Sequence, residues 1–268
     1  MLVVFTYLVT KDIVETLERK VGYKLCGDLK GFVRDLENQF LEEFWGFVPD
    51  TVEKKAIDST RVSVQLDSIS SRNGKPIVSL DRVYLTQADE YLEVTRVTDP
   101  RTGQVKISER PGNEPIERQI NRLRKYQQIV LVDVGAFEGG TLLEICNLLE
   151  ETGINIEEIY LGFSSNEANR RINNSRKLTA LNLFDFYEWI EMRDFFGIDG
   201  RAVGIDSGIR TYIPYWENLS KWASIPKESE KTASDLCRKY YALLTERMLK
   251  ERYDIKRIGT QIKYGGGK

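Results

Sequence analysis

The sequence predicts an α/β fold: a mainly parallel, twisted sheet flanked by helices, carrying an antiparallel hairpin and added helices at both ends. Three observations predict it. Ile129-Val130-Leu131-Val132 is a branched apolar run that leads through Asp133-Val134-Gly135-Ala136-Phe137-Glu138 into Gly139-Gly140-Thr141 and a helical pattern from Leu142. With the apolar segment Ile159 to Phe163 it forms a strand–helix–strand unit of roughly 35 residues, whose handedness implies parallel pairing. Between Thr51 and Arg110 the hydrophobic period turns toward two, and outside that core the apolar residues recur at helical spacing. The chain therefore divides into an N-terminal helical region (1–50), an α/β core with a hairpin (51–226) and a C-terminal helix with a flexible tail (227–268).

Composition narrows the chemistry. The formal net charge is -2, so the global basic field that general nucleic-acid binding uses is missing. Histidine is absent, which excludes imidazole bases, Ser/His or Cys/His nucleophile pairs and His-ligated metals. Cys26, Cys146 and Cys237 are far apart and lack metal-ligand spacing, so reduced thiols, a cytoplasmic protein and no protein-ligated metal are expected. Leu2 to Val9 is interrupted by Thr6 and Tyr7 and lacks a basic leader, so neither export nor a membrane partner is expected.

Taken in order, Met1 to Val9 reads as a short strand or the start of a helix, and Lys11 to Lys20 as a helix. Leu29, Phe32, Val33, Leu36, Phe40 and Phe44 step by three and four, which predicts a helix capped by Asp28 and ending near Gly46. Its aromatic stripe is a packing face. Val62, Val64 and Leu66 alternate with polar residues as a strand would, and Asn73-Gly74-Lys75-Pro76 is a turn before Ile77-Val78. Tyr91 to Val97 and Gln104 to Ile107 flank Asp99-Pro100-Arg101-Thr102-Gly103 as a hairpin. Its Arg96, Arg101 and Lys106 either clamp an anion as a flap or keep an exposed ribbon soluble.

After Pro111 to Pro115, Ile116 to Tyr126 reads as a short basic helix leading into the central strand. The helix from Thr141 to about Thr152 is expected to bury Leu142, Leu143, Ile145, Cys146 and Leu149, and Gly153 is its natural stop. Ser164-Ser165-Asn166-Glu167 lies at the carboxyl end of the next strand, either beside a ligand or as a helix cap. Leu178 to Phe196 is aromatic-rich and reads as helical, and Ala202 to Ile205 as a strand. Ile209 to Trp216 is a loop or edge segment, since Pro214 forbids a central strand. Its Arg210, Tyr212, Tyr215 and Trp216 suit a flat-ring pocket or a covering loop equally. Glu228 to Tyr253 is a long charged helix that caps the core or pairs with another subunit, so a homo-oligomer stays open.

The central stretch carries the chemistry. A carboxylate at a strand end accepts hydrogen bonds from sugar hydroxyls, while loop amides and a helix N-terminus favour a phosphate. Asp133, Gly135, Gly139, Gly140 and Thr141 are thus the ribose- and phosphate-binding candidates. Asp133 and Glu138 are the catalytic candidates.

Ile129 to Phe163 resembles the phosphoribosyl-pyrophosphate loop of type I phosphoribosyltransferases, with Asp133, Gly139, Gly140 and Thr141 in register. The resemblance implies a phosphoribosyltransferase-like fold, transfer or binding of a phosphoribosyl or nucleotide group, and a small-molecule partner of that class. It also implies Mg2+ on the pyrophosphate and an upstream hairpin that closes over the site. Val134 stands where that family has a second acid, Glu138 where it has Thr or Ser, and no upstream glycine-rich pyrophosphate loop is evident. Asp133-Val134-Gly135-Ala136 with Gly139 also looks like the first motif of some S-adenosylmethionine-dependent methyltransferases, although the next strand ends Gly162-Phe163-Ser164-Ser165 without the acid those enzymes use. A non-catalytic nucleotide-binding regulatory protein is the third reading.

Overall fold

A computed structural model describes residues 4–70, 74–85, 87–204 and 210–253. The first elements are β1 (Thr6–Lys11), α1 (Ile13–Val21), α2 (Gly27–Phe44), β2 (Glu53–Asp58), α3 (Ser59–Ser70), β3 (Ile77–Ser79), β4 (Glu90–Tyr91), β5 (Val94–Thr98) and β6 (Val105–Glu109). There follow α4 (Ile116–Leu123), β7 (Gln128–Ala136), α5 (Gly140–Glu151), β8 (Asn155–Ser165), α6 (Asn166–Asn173), β9 (Leu178–Phe184) and β10 (Phe186–Glu191). The last are α7 (Met192–Phe195), β11 (Arg201–Gly204), β12 (Arg210–Ile213), α8 (Leu219–Trp222) and α9 (Glu230–Lys250). Two compact units arise: one takes 4–58, 186–203 and 211–253 among the described residues, the other the rest.

In the first unit a parallel sheet of order β10-β1-β2 is covered by α1, α2 and α9. The α2 stripe meets Phe195, Phe196, Tyr240, Leu244 and Met248 in one buried cluster, so the aromatic repeat is core, as its spacing predicts. At the carboxyl end of β1 and β10 lies the buried guanidinium of Arg193. Its Nη2 is 2.6 Å from Glu191 and its Nε 3.3 Å from Asp12, while Lys20 holds Asp199 at 2.5 Å. Buried charge survives only when paired in this way.

The second unit holds a five-stranded sheet of order β4-β3-β7-β8-β9, parallel throughout. Ile129, Leu131, Ile159 and Leu161 face the cluster formed with α4 and α5, and α3 packs on the opposite face. Gly162 is what lets α3 approach, since a Cβ there would stand 2.5 Å from Val62 Cγ1 and 2.8 Å from the Val134 carbonyl. β5 and β6 form the expected antiparallel hairpin, with Val94 opposite Glu109 and Thr98 opposite Val105. The α/β class, the mainly parallel sheets, the hairpin and the terminal helices are all borne out.

Several local expectations are corrected. Val62 to Leu66 is helix, not strand: Val62 and Leu66 are buried, but Val64 is 64% exposed, so the burial follows the helical period. Leu178 to Glu191 is strand, not helix, because parallel partners in β8 and β1 claim its backbone. Only Met192–Phe195 keeps a helical turn. The cap of α2 is Cys26 in extended conformation, and Asp28 lies inside its first turn. The strand expected over Tyr91 to Val97 is split between β4 and β5. Met1 to Val3, Asn73 of the predicted turn, Ile205, Ile209 and the glycine-rich tail lie outside the described residues.

Candidate functional site

From β3 the chain passes to β4 on one side, and from β7 to β8 and β9 on the other, so the strand order reverses between β3 and β7. In open parallel sheets such a reversal opens a crevice beyond the carboxyl ends of the strands. Two segments leave the sheet there, Leu80 to Leu85 after β3 and Phe137 to Gly139 after β7. The central stretch singled out by sequence therefore sits at the place where topology alone would look for a ligand.

The loop after β7 is held from three sides. Gly139 adopts φ 77°, a left-handed conformation that glycine tolerates best, and a Cβ on it would meet Ile172 at 3.2 Å and Ala168 at 3.4 Å. The Ser165 hydroxyl donates to the Phe137 carbonyl at 2.6 Å and accepts from the Ala168 N–H at 2.8 Å. It is thus the cap of α6 and also the pin of the glycine loop. From α6, Arg171 Nη1 donates to the Glu138 carbonyl at 3.4 Å and lies 3.9 Å from where a Cβ on Gly140 would be. A cation therefore stands beside the N-terminus of α5. Sequence reading passed over Arg171; the only trace is the Arg170-Arg171 pair on the following helix, too far along the chain for local spacing to connect.

Asp133 is half-buried and its carboxylate accepts from the Val134 N–H at 2.8 Å. Alternation along β7 sends Val134 to the opposite face, where it is 6% exposed. Glu138 is exposed, Gly135 is paired with Phe163 in the ladder, and Gly140 and Thr141 open α5.

The hairpin cations do not share a face. Arg96 stands opposite Ile107 and Val97 opposite Lys106, so strand alternation points Arg96 and Lys106 to opposite sides. Arg101, at the tip, pairs with Asp99 at 3.4 Å. A second group missed by sequence is the network after β3. Arg82 Nε is 2.6 Å from Glu93, Arg110 Nη2 is 3.4 Å from Asp81, and Arg82 lies 4.3 Å over the Tyr91 ring. Asp81 and Glu93 are buried, and these arginines serve them. Elsewhere, Tyr215 packs on Trp222 and Trp216 on Tyr241, while Arg210 turns to Ser108 and Glu109. Tyr215 and Trp216 thus act as covering residues.

Among the described residues no helix is long and apolar enough to cross a membrane. No protein-family model and no curated protein matches the chain. Solved structures do. The TT1426 protein of Thermus thermophilus is 16% identical, with 47% of this chain and 83% of that one covered at TM-score 0.30. The adenine phosphoribosyltransferase of Thermoanaerobacter pseudethanolicus is 12% identical, covering 47% and 79% at TM-score 0.32. The orotate phosphoribosyltransferase of Aeropyrum pernix is 13% identical, covering 46% and 70% at TM-score 0.29. The strand order and its reversal, rather than these likenesses, carry the fold: a helix-flanked α/β protein whose glycine loop lies at the switch point of a parallel sheet.

Proposed function

We propose that the loop between β7 and α5 binds a phosphoribosyl or nucleotide ligand and that the protein acts in phosphoribosyl transfer. The observation that carries this reading is the placement of a pinned glycine loop, a helix N-terminus and the Arg171 guanidinium together at the strand-order reversal. Gly139, Gly140 and Thr141 hold the phosphate, Asp133 and the end of β7 at Gly135 receive the ribose, and Arg171, on the Glu138 carbonyl, adds positive charge beside them. Transfer of a ribosyl group passes through a cationic, oxocarbenium-like state, so positioning and carboxylates such as Asp133 and Glu138 matter more than a strong base. A chain without histidine is adequate for that.

Magnesium, when bound, neutralises pyrophosphate. It is commonly held by one or two carboxylates plus substrate phosphates, and Asp133 with Glu138 is a donor set of that kind. Among the described residues no group of three or more His, Cys, Asp or Glu side chains gathers as a metal site, so the ligand's own oxygens would complete the shell. Arg96, Arg101 and Lys106 would reach pyrophosphate only one face of the hairpin at a time.

A second reading, ligand binding without turnover, is favoured by the buried Val134 in place of a second acid. Calorimetry with phosphoribosyl pyrophosphate and Mg2+, run beside S-adenosylmethionine, tests the site; binding of the latter alone would overturn it. Asp133→Asn is expected to weaken phosphoribosyl pyrophosphate about tenfold, in line with a lost charged hydrogen bond. Pyrophosphate release on adding acceptor bases then separates transfer from silent binding.

A further inference from the structure

The sheet edges of this protein are treated unequally. β2, an edge of the first unit's sheet, carries Glu53, Lys54, Lys55 and Asp58, and β4, an edge of the second, is two residues long. Charge and shortness are the usual devices that stop edges from pairing. β9, the opposite edge of the second sheet, has neither. Its seven residues, Leu178 to Phe184, include no charge and no proline, Leu183 is 48% exposed, and among the described residues its strand partner is β8.

The hydrogen-bond phase of β9 can be read. Ile159 N–H donates to the Lys177 carbonyl at 2.9 Å. In a parallel ladder alternate residues turn their main-chain groups to one neighbour, so Thr179, Leu181 and Leu183 address β8. Ala180 and Asn182 turn theirs outward. The outward N–H of Leu178 is accepted by Asn173 Oδ1 at 3.0 Å, as that phase requires.

We propose that β9 pairs antiparallel with β9 of a second copy of this chain, about a two-fold axis at Leu181. Around that axis Ala180 meets Asn182 of the second copy, so outward-facing donors and acceptors exchange hydrogen bonds on both sides. Leu178 meets Phe184, and Leu181 meets itself in the close, non-hydrogen-bonded position. The strand is flanked by opposite charges, Lys177 before it and Asp185 after it, and the same axis sets Lys177 against Asp185. Both are within reach: Lys177 is 69% exposed while holding Glu158, and Asp185 is held at its own end by Asn166. A one-residue slip would oppose outward-facing to inward-facing main-chain groups, and a two-residue slip would lose the charge match. Self-complementarity in donors, side chains and end charges at a single register selects a second copy over another partner.

The test is sedimentation velocity on the full chain at tens of micromolar. The expected mass is twice that of one chain. Ala180→Pro removes an outward N–H that the β8 ladder does not use, a position where an edge strand accepts proline, and is expected to give a monomer with unchanged circular dichroism. A monomeric parent protein, or a dimer that persists in a natively folded Ala180→Pro variant, overturns the proposal. If that variant does not fold, cross-linking decides. In a Cys26→Ser background, Leu181→Cys should form an intermolecular disulfide at least about tenfold faster than Leu249→Cys on the exposed face of α9, because pairing raises the local concentration. Equal rates overturn the proposal.

Discussion

Glu37 is 3% exposed on α2, and its Oε1 accepts the N–H of Ile13 at the start of α1 at 3.0 Å. Burial outweighs that bond and pushes its pKa from the ordinary 4.5 up to about 8. Between those two values the folded state holds a proton that the unfolded state has lost, so stability falls as pH rises across the window and levels off above it. Glu37→Gln keeps the acceptor and removes the titration. Urea denaturation should therefore show the variant gaining on the parent protein from pH 5 to pH 8, by up to about 1.4 kcal/mol per pH unit. A gap that does not change with pH would show that Glu37 stays ionised in the fold. The same scale explains what was hidden at the candidate site. Asp133 and the glycines announce themselves as a contiguous motif, whereas Arg171 reaches the glycine loop, and Arg82 reaches Glu93, only after the chain has folded.

At the scale of elements, β7, α5 and β8 were legible because their determinants are local. An apolar run covered on both faces, a left-handed glycine and a helix ending in a Schellman turn, with Ile154 N–H on Leu149 and Gly153 N–H on Glu150, need no distant partner to be specified. α3 was not, since Val62 and Leu66, four apart, satisfy either period, Val64 between them favours the strand, and only packing chooses the helix. That packing makes a prediction. Gly162→Ala forces its new methyl against Val62 and the Val134 carbonyl and should cost about 1–3 kcal/mol by chemical denaturation. The cost should shrink in a Val62→Ala background, because one of the two obstacles is then gone. An additive double mutant would place α3 farther from β8. β9 and β10 were misread for a related reason: Leu, Phe and Trp recur densely enough in 178–196 to fit a helix, and the parallel ladders override that local preference.

For the whole molecule, each unit carries its own buried thiol. Cys146 lies in the second unit's core, its pKa pushed up to about 12 by burial, and Cys237 lies in the first unit's core, likewise raised by burial. Cys26 is exposed. A thiol reagent should therefore modify Cys26 at once in native protein, and Cys146 and Cys237 only as their own units open, with rates that climb in urea. Rapid native labelling of either buried thiol would contradict the packing described. By itself the sequence determined the α/β class, the central strand–loop–helix, the hairpin and the terminal helices, because periodicity, glycine and turn chemistry act over a few residues. The tertiary structure decided which strands meet: β1 recruits β10 from across the chain, β3 docks beside β7, and the glycine loop after β7 thereby comes to lie where the strand order reverses. Strand pairing is a choice among distant backbones offering the same donors and acceptors, and only side-chain packing, formed all at once, makes it.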